Sequence, residues 1–263
     1  MFHMFRTLAM ALLWISVTGA SQAKEGPDCA RPLTLALHEH GLLYSSETGG
    51  GIDKDVADEL IKRSGCKIIV SVMARARIWQ LIEAGALDFS LSGISNTKRD
   101  VFAGFAWYFS NKYYLLVRKD SHVRQLSDFE KNPKLQLGVI RSFRYSASAN
   151  ELVDHLSADN RIVNASGLEP LYELLALNHI QGMVIEPFDY SQVAGSSVQS
   201  VTVIVDTNDS PVLHGLIMSK KSLSLEDQSQ WRALVDTMRR DGSMLRIFKK
   251  YFPADLATTL VNF

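Results

Sequence analysis

Strand-like and helix-like segments alternate along almost the whole chain after residue 30, and this alternation restricts the possible folds more than any other feature. An apolar strand pattern over residues 33–37 is followed by a glycine-rich turn at 49–51 and by a helical pattern that begins near Asp53. That helix is predicted to end at Ser64-Gly65, because glycine readily takes the left-handed conformation that closes a helix. The same alternation continues toward the C-terminus, and it predicts an α/β fold with mainly parallel sheets.

The strand patterns fall into two sets, which predicts two lobes. Apolar segments at 113–117 and 213–218 bracket the second set, and a long helical pattern over 225–240 follows. If the terminal helices return to the first lobe, the chain crosses between the lobes twice and forms a hinge, and a cleft between hinged lobes is a preferred place for a small ligand. The predicted division is lobe 1 from residues 24–115 and 216–263, and lobe 2 from residues 116–215.

Residues 1–23 have the pattern of a signal peptide for export. They carry one charged side chain, Arg6, followed by an apolar run from Leu8 to Val17 and by small residues up to Ala23. This order is typical of a cleaved secretory signal, and the apolar run is shorter than the roughly 20 residues that a membrane-spanning helix needs. We therefore predict cleavage near Ala23 and a monomeric mature protein in the periplasm.

The charge balance and the motif content exclude several classes of function. The chain has 28 basic and 28 acidic residues, so it lacks the positive field by which proteins attract nucleic acid. We predict no nucleic-acid partner. No glycine-rich phosphate-binding loop with its Lys and Ser/Thr is present, and His38 and His40 have no third metal ligand near them in sequence. The sequence therefore predicts neither a cofactor nor a metal ion.

Cys29 and Cys66 are the two cysteines of the chain, and we predict that they form a disulfide. An even number of cysteines in an exported protein is typical of disulfide pairing. Each cysteine lies beside the start of a strand pattern, so the two thiols meet at one end of the sheet if those strands are parallel neighbours. The alternatives are a catalytic or a metal-binding thiol, but neither cysteine has a second Cys or a His at ligand spacing.

A series of motifs, in a consistent order and spacing, carries a family resemblance over nearly all of the predicted mature chain. The matching stretches are GIDKD at 51–55, IWQLIEAGALD at 78–88, SGISNTKR at 92–99, FSNKY at 109–113, LGV at 137–139, IQGMVIE at 180–186 and RDGSMLRIFKKYF at 240–252. On these residues the chain resembles the bacterial extracellular solute-binding proteins of family 3, which serve ABC importers of polar amino acids. The resemblance implies a periplasmic-binding-protein-like fold of type II, with two α/β lobes joined by a two-stranded hinge.

The resemblance also implies roles for five residues. Burying a zwitterionic amino acid requires a cation for its carboxylate and an anion for its ammonium. By resemblance, Arg99 binds the carboxylate with help from Ser92, Gly93 and Ser95, and Glu186 binds the ammonium. The loop before Arg99 is one residue shorter than in the family, and Glu186 stands where the family commonly has Asp. The alternatives are a solvated arginine and, for Glu186, an acid that favours the helix dipole.

Four further residues complete the predicted ligand-binding set. Arg75 stands where amino-acid binders often have an aromatic residue, and the stretch 141–145, RSFRY, replaces the usual small turn. If Arg75 and Arg144 face the cleft, they favour a ligand with a second acidic group, or one that is not a standard amino acid; the alternative is that they point to solvent. Ser142 belongs to the same turn, and Tyr44 lies in a loop where the family often places an aromatic over the ligand.

The predicted function is non-enzymatic capture of a polar amino acid or related small solute, followed by delivery to an inner-membrane ABC permease. Two alternatives remain open. One is a periplasmic dehydratase-like enzyme on the same fold, in which Glu186 or Glu39 serves as a general acid with a raised pKa. The other is a ligand-sensing component that reports to a membrane sensor, which would use the same binding residues.

Overall fold

The computed structural model describes residues 26–193 and 195–263. The predicted signal peptide at residues 1–23 lies outside the described residues. The described chain forms two lobes, each built on a five-stranded sheet with helices packed against it. The fold is therefore a mixed α/β fold with two sheets, as the alternation of segments predicts.

The elements follow one another in the order that the sequence pattern indicates. The chain first forms β1 (Leu33–Leu37), α1 (Ile52–Ser64), β2 (Ile68–Val72), α2 (Arg75–Ala84), β3 (Phe89–Gly93) and β4 (Ala103–Asn111). It then forms β5 (Tyr114–Arg118), α3 (Leu126–Lys131), β6 (Leu137–Ile140), α4 (Ala147–Ala158), β7 (Ile162–Ala165), α5 (Leu168–Ala176), β8 (Gly182–Ile185), α6 (Pro187–Val193), α7 (Ser197–Val201) and β9 (Thr202–Asp206). It ends with β10 (Val212–Ser219), α8 (Leu225–Arg240), α9 (Ser243–Phe248) and α10 (Ala254–Val261). Gly65 and Gly85 close α1 and α2 in the left-handed conformation, with φ of 65° and 75°.

The sheets are mixed rather than mainly parallel, and in this respect the sequence-based expectation is wrong. The first sheet has the order β2-β1-β3-β10-β4 and the second the order β7-β6-β8-β5-β9. Strand β10 pairs antiparallel with β3 and β4, and β5 pairs antiparallel with β8 and β9. The parallel pairs join strands that are connected by helical crossovers. Strands β4, β5, β9 and β10 lie next to the two crossings between the lobes, and their pairs are antiparallel.

Two short segments carry the chain between the sheets and form the hinge. Residues 112–113 connect β4 to β5, and residues 207–211 connect β9 to β10. The two segments lie side by side: the Thr207 hydroxyl donates a hydrogen bond to the Tyr113 carbonyl at 2.9 Å, and Lys112 pairs with Asp206 at 3.3 Å. Sheet membership therefore changes within these residues; the lobe limits at 115/116 and 215/216 stay a prediction.

The core of lobe 1 surrounds β1, β3 and β10 and is closed by the C-terminal helices. Trp231 of α8 is fully buried and packs edge-on against Phe89, with ring centroids 4.8 Å apart. At one end of the sheet a disulfide joins Cys29 to Cys66, which confirms the predicted pair. Strands β1 and β2 are parallel neighbours with Leu33 opposite Ile68, so the two cysteines meet where the sequence analysis places them. The crosslink contributes about 4 kcal/mol in the chain-entropy model.

Strand β4 is a feature that the sequence analysis does not identify. Eight of its nine residues are buried, and only Trp107 is half-buried. Both faces of the strand are therefore covered, so its sequence does not alternate between apolar and polar residues.

Within the described part of the chain, no helix is both long enough and apolar enough to cross a membrane.

Candidate functional site

A cleft runs between the two lobes and contains a cavity of about 450 Å³, which we call the Arg99 cavity. This volume lies within the range of small-molecule sites. Lobe 1 contributes Trp79, residues 94–99 and Phe102, and lobe 2 contributes Ser142, Arg144, Tyr145 and Asn150. Because both lobes form its walls, a ligand in this cavity contacts both of them at once.

Arg99 lies at the base of this cavity and spans the two lobes. Its guanidinium donates to the Ile94 carbonyl of lobe 1 and to the Ser142 carbonyl of lobe 2, both at 2.9 Å. It also lies over the Trp79 ring, 3.9 Å from the centroid. Among the described residues it has no carboxylate partner. Burial and the charges of Arg75 and Arg144 lower the pKa of Arg99 to about 9. This shift agrees with a positive charge that has no carboxylate beside it among the described residues.

Arg75 is buried deeper in the cleft, at the start of α2. Its guanidinium donates to the carbonyl oxygens of Leu91 and Ser92 at 2.9 and 2.7 Å. Burial lowers its pKa, and the carboxylate of Asp53 opposes that shift. The ring of Phe143, from the turn after β6, lies 5.8 Å from the Arg75 guanidinium carbon. Arg75 borders the cleft interior, with two of its guanidinium nitrogens donating to the backbone of lobe 1.

Phe143 divides the cleft. Its ring centroid lies 5.7 Å from that of His38 and 4.9 Å from that of His40. On one side of it is the Arg99 cavity; on the other is a second cavity of about 340 Å³, lined among others by Arg75 and Glu169. Between them, next to Glu186, remains a space of only about 10 Å³, enough for no more than about one water molecule.

Glu186 is buried at the hinge end of the cleft, and both of its carboxylate oxygens have partners. One oxygen lies 2.7 Å from Nε2 of His40, and the other accepts a hydrogen bond from the Asn111 side chain at 2.6 Å. Asp189 contributes a further carboxylate oxygen 3.4 Å from the same His40 nitrogen. His40 and Asn111 belong to lobe 1 and Glu186 and Asp189 to lobe 2, so this network, which we call the hinge network, ties the lobes together.

The electrostatics of the hinge network favour a protonated His40 beside ionised Glu186. Burial on its own lowers the pKa of His40, but the Asp189 and Glu186 carboxylates outweigh it and raise the pKa. Burial opposes ionisation of Glu186, but His40 and Asn111 hold its pKa below the usual value. Burial raises the pKa of Asp189 to about 7, and the neighbouring Glu186 charge adds to the shift. Protonated His40 beside ionised Glu186 is therefore the favoured state, and Asp189 is ionised only in part near neutral pH.

Three residues of the hinge network, His40, Glu186 and Asp189, form the group among the described residues that could hold a metal ion. His40, Glu186 and Asp189 bring one nitrogen and two oxygen ligand atoms within 4.8 Å of one another. The sequence analysis finds no third ligand beside His38 and His40; the fold brings two acids from lobe 2 next to His40. The His40 and Glu186 atoms concerned are already hydrogen-bonded to each other, which accounts for their arrangement without a metal.

Asp53, in α1 of lobe 1, is a further fully buried acid. Its carboxylate accepts hydrogen bonds from Ser92 Oγ at 2.6 Å and from the Tyr108 hydroxyl at 3.1 Å. Burial raises the pKa of Asp53 to about 6, while Ser92 and the charge of Arg75 oppose the shift. Ser92 is held at φ 53°, a left-handed conformation that costs free energy in a non-glycine residue. The predicted ligand-binding residue Ser92 thus uses its hydroxyl within lobe 1.

The remaining predicted residues occupy different places. Ser142 and Ser95 line the Arg99 cavity, and Ser95 Oγ donates to Asp100 at 2.7 Å. Arg144 also lines it and pairs with the exposed Asp154 at 3.3 Å. Gly93 lies at the end of β3, where a Cβ would come within 2.2 Å of the side chain of Ile217. Tyr44 is buried in the lobe 1 core and does not line the cavities described above.

Three residues of the cleft were not selected from the sequence. The Trp79 ring stacks on Arg99, and its Nε1 is buried without a hydrogen-bond partner among the described residues. Lys98 lines the Arg99 cavity beside Arg99, and its position next to that residue in the SGISNTKR motif was an available signal. Phe143 lies within the RSFRY stretch, but only the fold shows that it enters the cleft.

A further cavity lies on the hinge side of the molecule. It measures about 560 Å³ and is lined mainly by apolar and aromatic side chains, including Leu42, Ile204 and Phe252. Among the described residues that line it, Glu186 is the one acid, and there is no lysine or arginine. It is therefore less suited to a polar anionic solute than the Arg99 cavity is.

Comparisons with known proteins agree with this architecture. A sequence model of the bacterial extracellular solute-binding proteins, family 3, matches residues 41–254. No curated protein matches the chain by sequence.

Among solved structures, an ancestral arginine-binding protein bound to arginine superimposes with a TM-score of 0.72 at 18% identity, covering 86% of this chain and 100% of its own. A substrate-binding protein of an ABC uptake transporter from Streptococcus pneumoniae, with bound histidine, gives 0.69 at 14% identity, covering 84% and 92%. A histidine kinase sensor domain with similarity to periplasmic binding proteins gives 0.71 at 13%, covering 84% and 96%. At these identities the likeness shows the fold alone.

Proposed function

Because the chain belongs to family 3 of the bacterial extracellular solute-binding proteins, we propose that it captures a small polar solute between its lobes and delivers it to an ABC importer. A polar amino acid or a related small acid fits this proposal. The observation that carries it is the Arg99 cavity, which is formed by both lobes and presents a buried guanidinium without a carboxylate partner. Such a charge is costly to leave uncompensated, and a ligand acid group supplies the missing counterion.

Closure follows from the same geometry. Arg99 of lobe 1 already reaches the Ser142 carbonyl of lobe 2, so an acid group on Arg99 lies at the contact between the lobes. A ligand that contacts both lobes binds the closed state better than the open one and shifts the population toward it. An importer that recognises the closed state then receives the loaded protein.

The hinge network argues against Glu186 as the general acid of the dehydratase-like alternative. A general acid must hold a proton near neutral pH, but the partners of Glu186 hold its pKa below the usual value. Both of its carboxylate oxygens are already bonded to His40 and Asn111. We therefore propose a binding protein rather than an enzyme.

A sensing role is the second candidate, favoured by the fold likeness to a histidine kinase sensor domain. Sensing and transport use the same cleft and differ in the partner that recognises the closed lobes. Cells that lack the protein separate the two: loss of uptake of the bound solute supports delivery to an importer, and unchanged uptake supports sensing.

A thermal-shift screen of the mature protein tests the binding proposal. Solutes that bind only the folded state raise its melting temperature. We expect small carboxylic acids to raise it and polyamines, which add positive charge, to have no effect. A shift with polyamines and none with acidic or zwitterionic solutes contradicts the role proposed for Arg99.

A further inference from the structure

The Arg99 cavity is positively charged without compensation. Lys98, Arg99 and Arg144 line it, and no acidic residue is among the described residues that do. Lys98 and Arg99 have no ion-pair partner among the described residues, and the Asp154 partner of Arg144 is 66% exposed. An exposed ion pair of this kind contributes little, so all three cations are available to a ligand.

One further polar group of this cavity is a donor without a partner among the described residues. The buried Trp79 Nε1 has no acceptor among the described residues. The Asn150 side chain is occupied by the backbone of Tyr145, through hydrogen bonds of 2.8 and 3.0 Å. A buried donor without an acceptor is destabilising, so this wall also favours a ligand rich in acceptor oxygens.

No acid is among the described residues that line the Arg99 cavity: Glu39 and Glu169 line the second cavity, and the buried acids Glu186 and Asp53 have other partners. Both oxygens of Glu186 are bonded to His40 and Asn111. Within the cleft Glu186 borders a space of about 10 Å³, and it also lines the hinge-side cavity, away from Arg99. Asp53 is fully buried and accepts hydrogen bonds from Ser92 and Tyr108. An ammonium in the Arg99 cavity would therefore be surrounded by cations and buried without a partner, which is strongly unfavourable.

The cations come from both sides of the cleft. Lys98 and Arg99 follow β3 in lobe 1, and Arg144 belongs to the turn after β6 in lobe 2. A molecule with one carboxylate at each end pairs with both sides when the lobes are together. Its second carboxylate thus stabilises the closed state in addition to binding.

We propose that the physiological ligand is a small dicarboxylate without an ammonium group, bound in the Arg99 cavity with one carboxylate on Arg99 and the other on Arg144. This inference rests on the proposed function and narrows its substrate class. It assigns Arg144 as a residue that selects for a second acid group, and it gives the hinge network no role in ammonium binding.

Calorimetric titration with matched acids tests the proposal. Glutarate, L-glutamate and butyrate share one carboxylate on a chain of three carbons, and each of the other two differs from glutarate in one group. Glutamate adds an ammonium, and butyrate has a hydrogen in place of the second carboxylate. We expect glutarate to bind at least about tenfold more tightly than either, which corresponds to about 1.4 kcal/mol. Arg144→Gln is expected to weaken glutarate binding at least about tenfold while leaving butyrate binding unchanged. Arg124→Gln, which removes an exposed arginine of lobe 2, is the matched control and is expected to change neither.

The outcomes separate this inference from the proposed function. Glutamate binding as tightly as glutarate, or more tightly, overturns the inference and leaves solute capture intact. Butyrate binding as tightly as glutarate, or an Arg144→Gln variant with unchanged glutarate affinity, overturns the second-carboxylate assignment. If none of the three acids binds, while another solute of the thermal-shift screen does, the dicarboxylate inference fails alone. If no solute of the screen binds, both fail.

Discussion

Replacing Arg99 with glutamine is expected to weaken dicarboxylate binding by at least about 100-fold. Hydrogen bonds to charged groups contribute roughly 1.5–3 kcal/mol each, and about 2.7 kcal/mol corresponds to 100-fold in affinity. Glutamine keeps a hydrogen-bond donor but loses the charge and the planar fork that bind a carboxylate. Calorimetry with glutarate measures the loss, and circular dichroism verifies that the variant is folded.

The same variant separates a binding role from a structural one. In the structure Arg99 contacts two backbone carbonyls and the Trp79 ring, and Arg75 and Arg144 contribute to lowering its pKa. Removing a buried cation that lacks a counterion relieves this repulsion. We therefore expect Arg99→Gln to melt at the same or a higher temperature than the wild type, with no further rise on adding glutarate. Arg124→Gln is the control, and retained glutarate affinity in Arg99→Gln contradicts the assignment.

Replacing His40 with glutamine is expected to lower the free energy of unfolding by about 3 kcal/mol near pH 6, because removing one partner of a buried ion pair leaves the other uncompensated. The loss depends on pH. The pKa of His40 is raised in the folded state, so its stabilisation is complete below the unfolded pKa of about 6.5 and is lost as the pH rises through the folded value. The gap between wild type and His40→Gln therefore narrows as the pH rises above about 6.5 and through the folded pKa of His40.

Urea unfolding at several pH values between 6 and 9 measures this gap. His38 and His214 do not contribute to it, because burial lowers their pKa values and both are neutral throughout this range. Asp189, with its pKa raised to about 7, also binds a proton more readily in the folded state, so it makes the wild type lose stability in the same direction. His155→Gln, at an exposed histidine, is the control. A gap that stays constant with pH contradicts a charged His40 in the hinge network.

Local sequence patterns predict most of the fold correctly. The predicted helix over residues 225–240 matches α8, and α1 begins at Ile52 and ends at Ser64 before Gly65, close to the prediction. These helices have clear apolar periodicity and recognisable caps. Strand β4 was missed because both of its faces are buried, so its sequence does not alternate. The antiparallel pairing of β10 and β5 was also missed. It depends on the route of the chain between the lobes, which no local pattern specifies.

The candidate site was harder to predict because its geometry depends on contacts between distant segments. Arg99, Ser142, Ser95 and Arg144 do meet in one cavity, and a family motif or a departure from it marks each of them. The engagement of Glu186 by His40 involves residues 146 positions apart, so the sequence could not reveal it. The ligand-binding roles of all the selected residues stay predictions until a bound solute is observed.

Anomalous diffraction from crystals soaked with selenodiacetate is the most direct test of the account. This glutarate isostere has selenium in place of the central methylene and keeps both carboxylates. We predict one anomalous peak per chain inside the Arg99 cavity, with the two carboxylates on Arg99 and Arg144. A peak next to Glu186, at the position that the Phe143 ring occupies in this structure, contradicts the central claim that the Arg99 cavity is the ligand site. A peak in the apolar hinge-side cavity contradicts it as well.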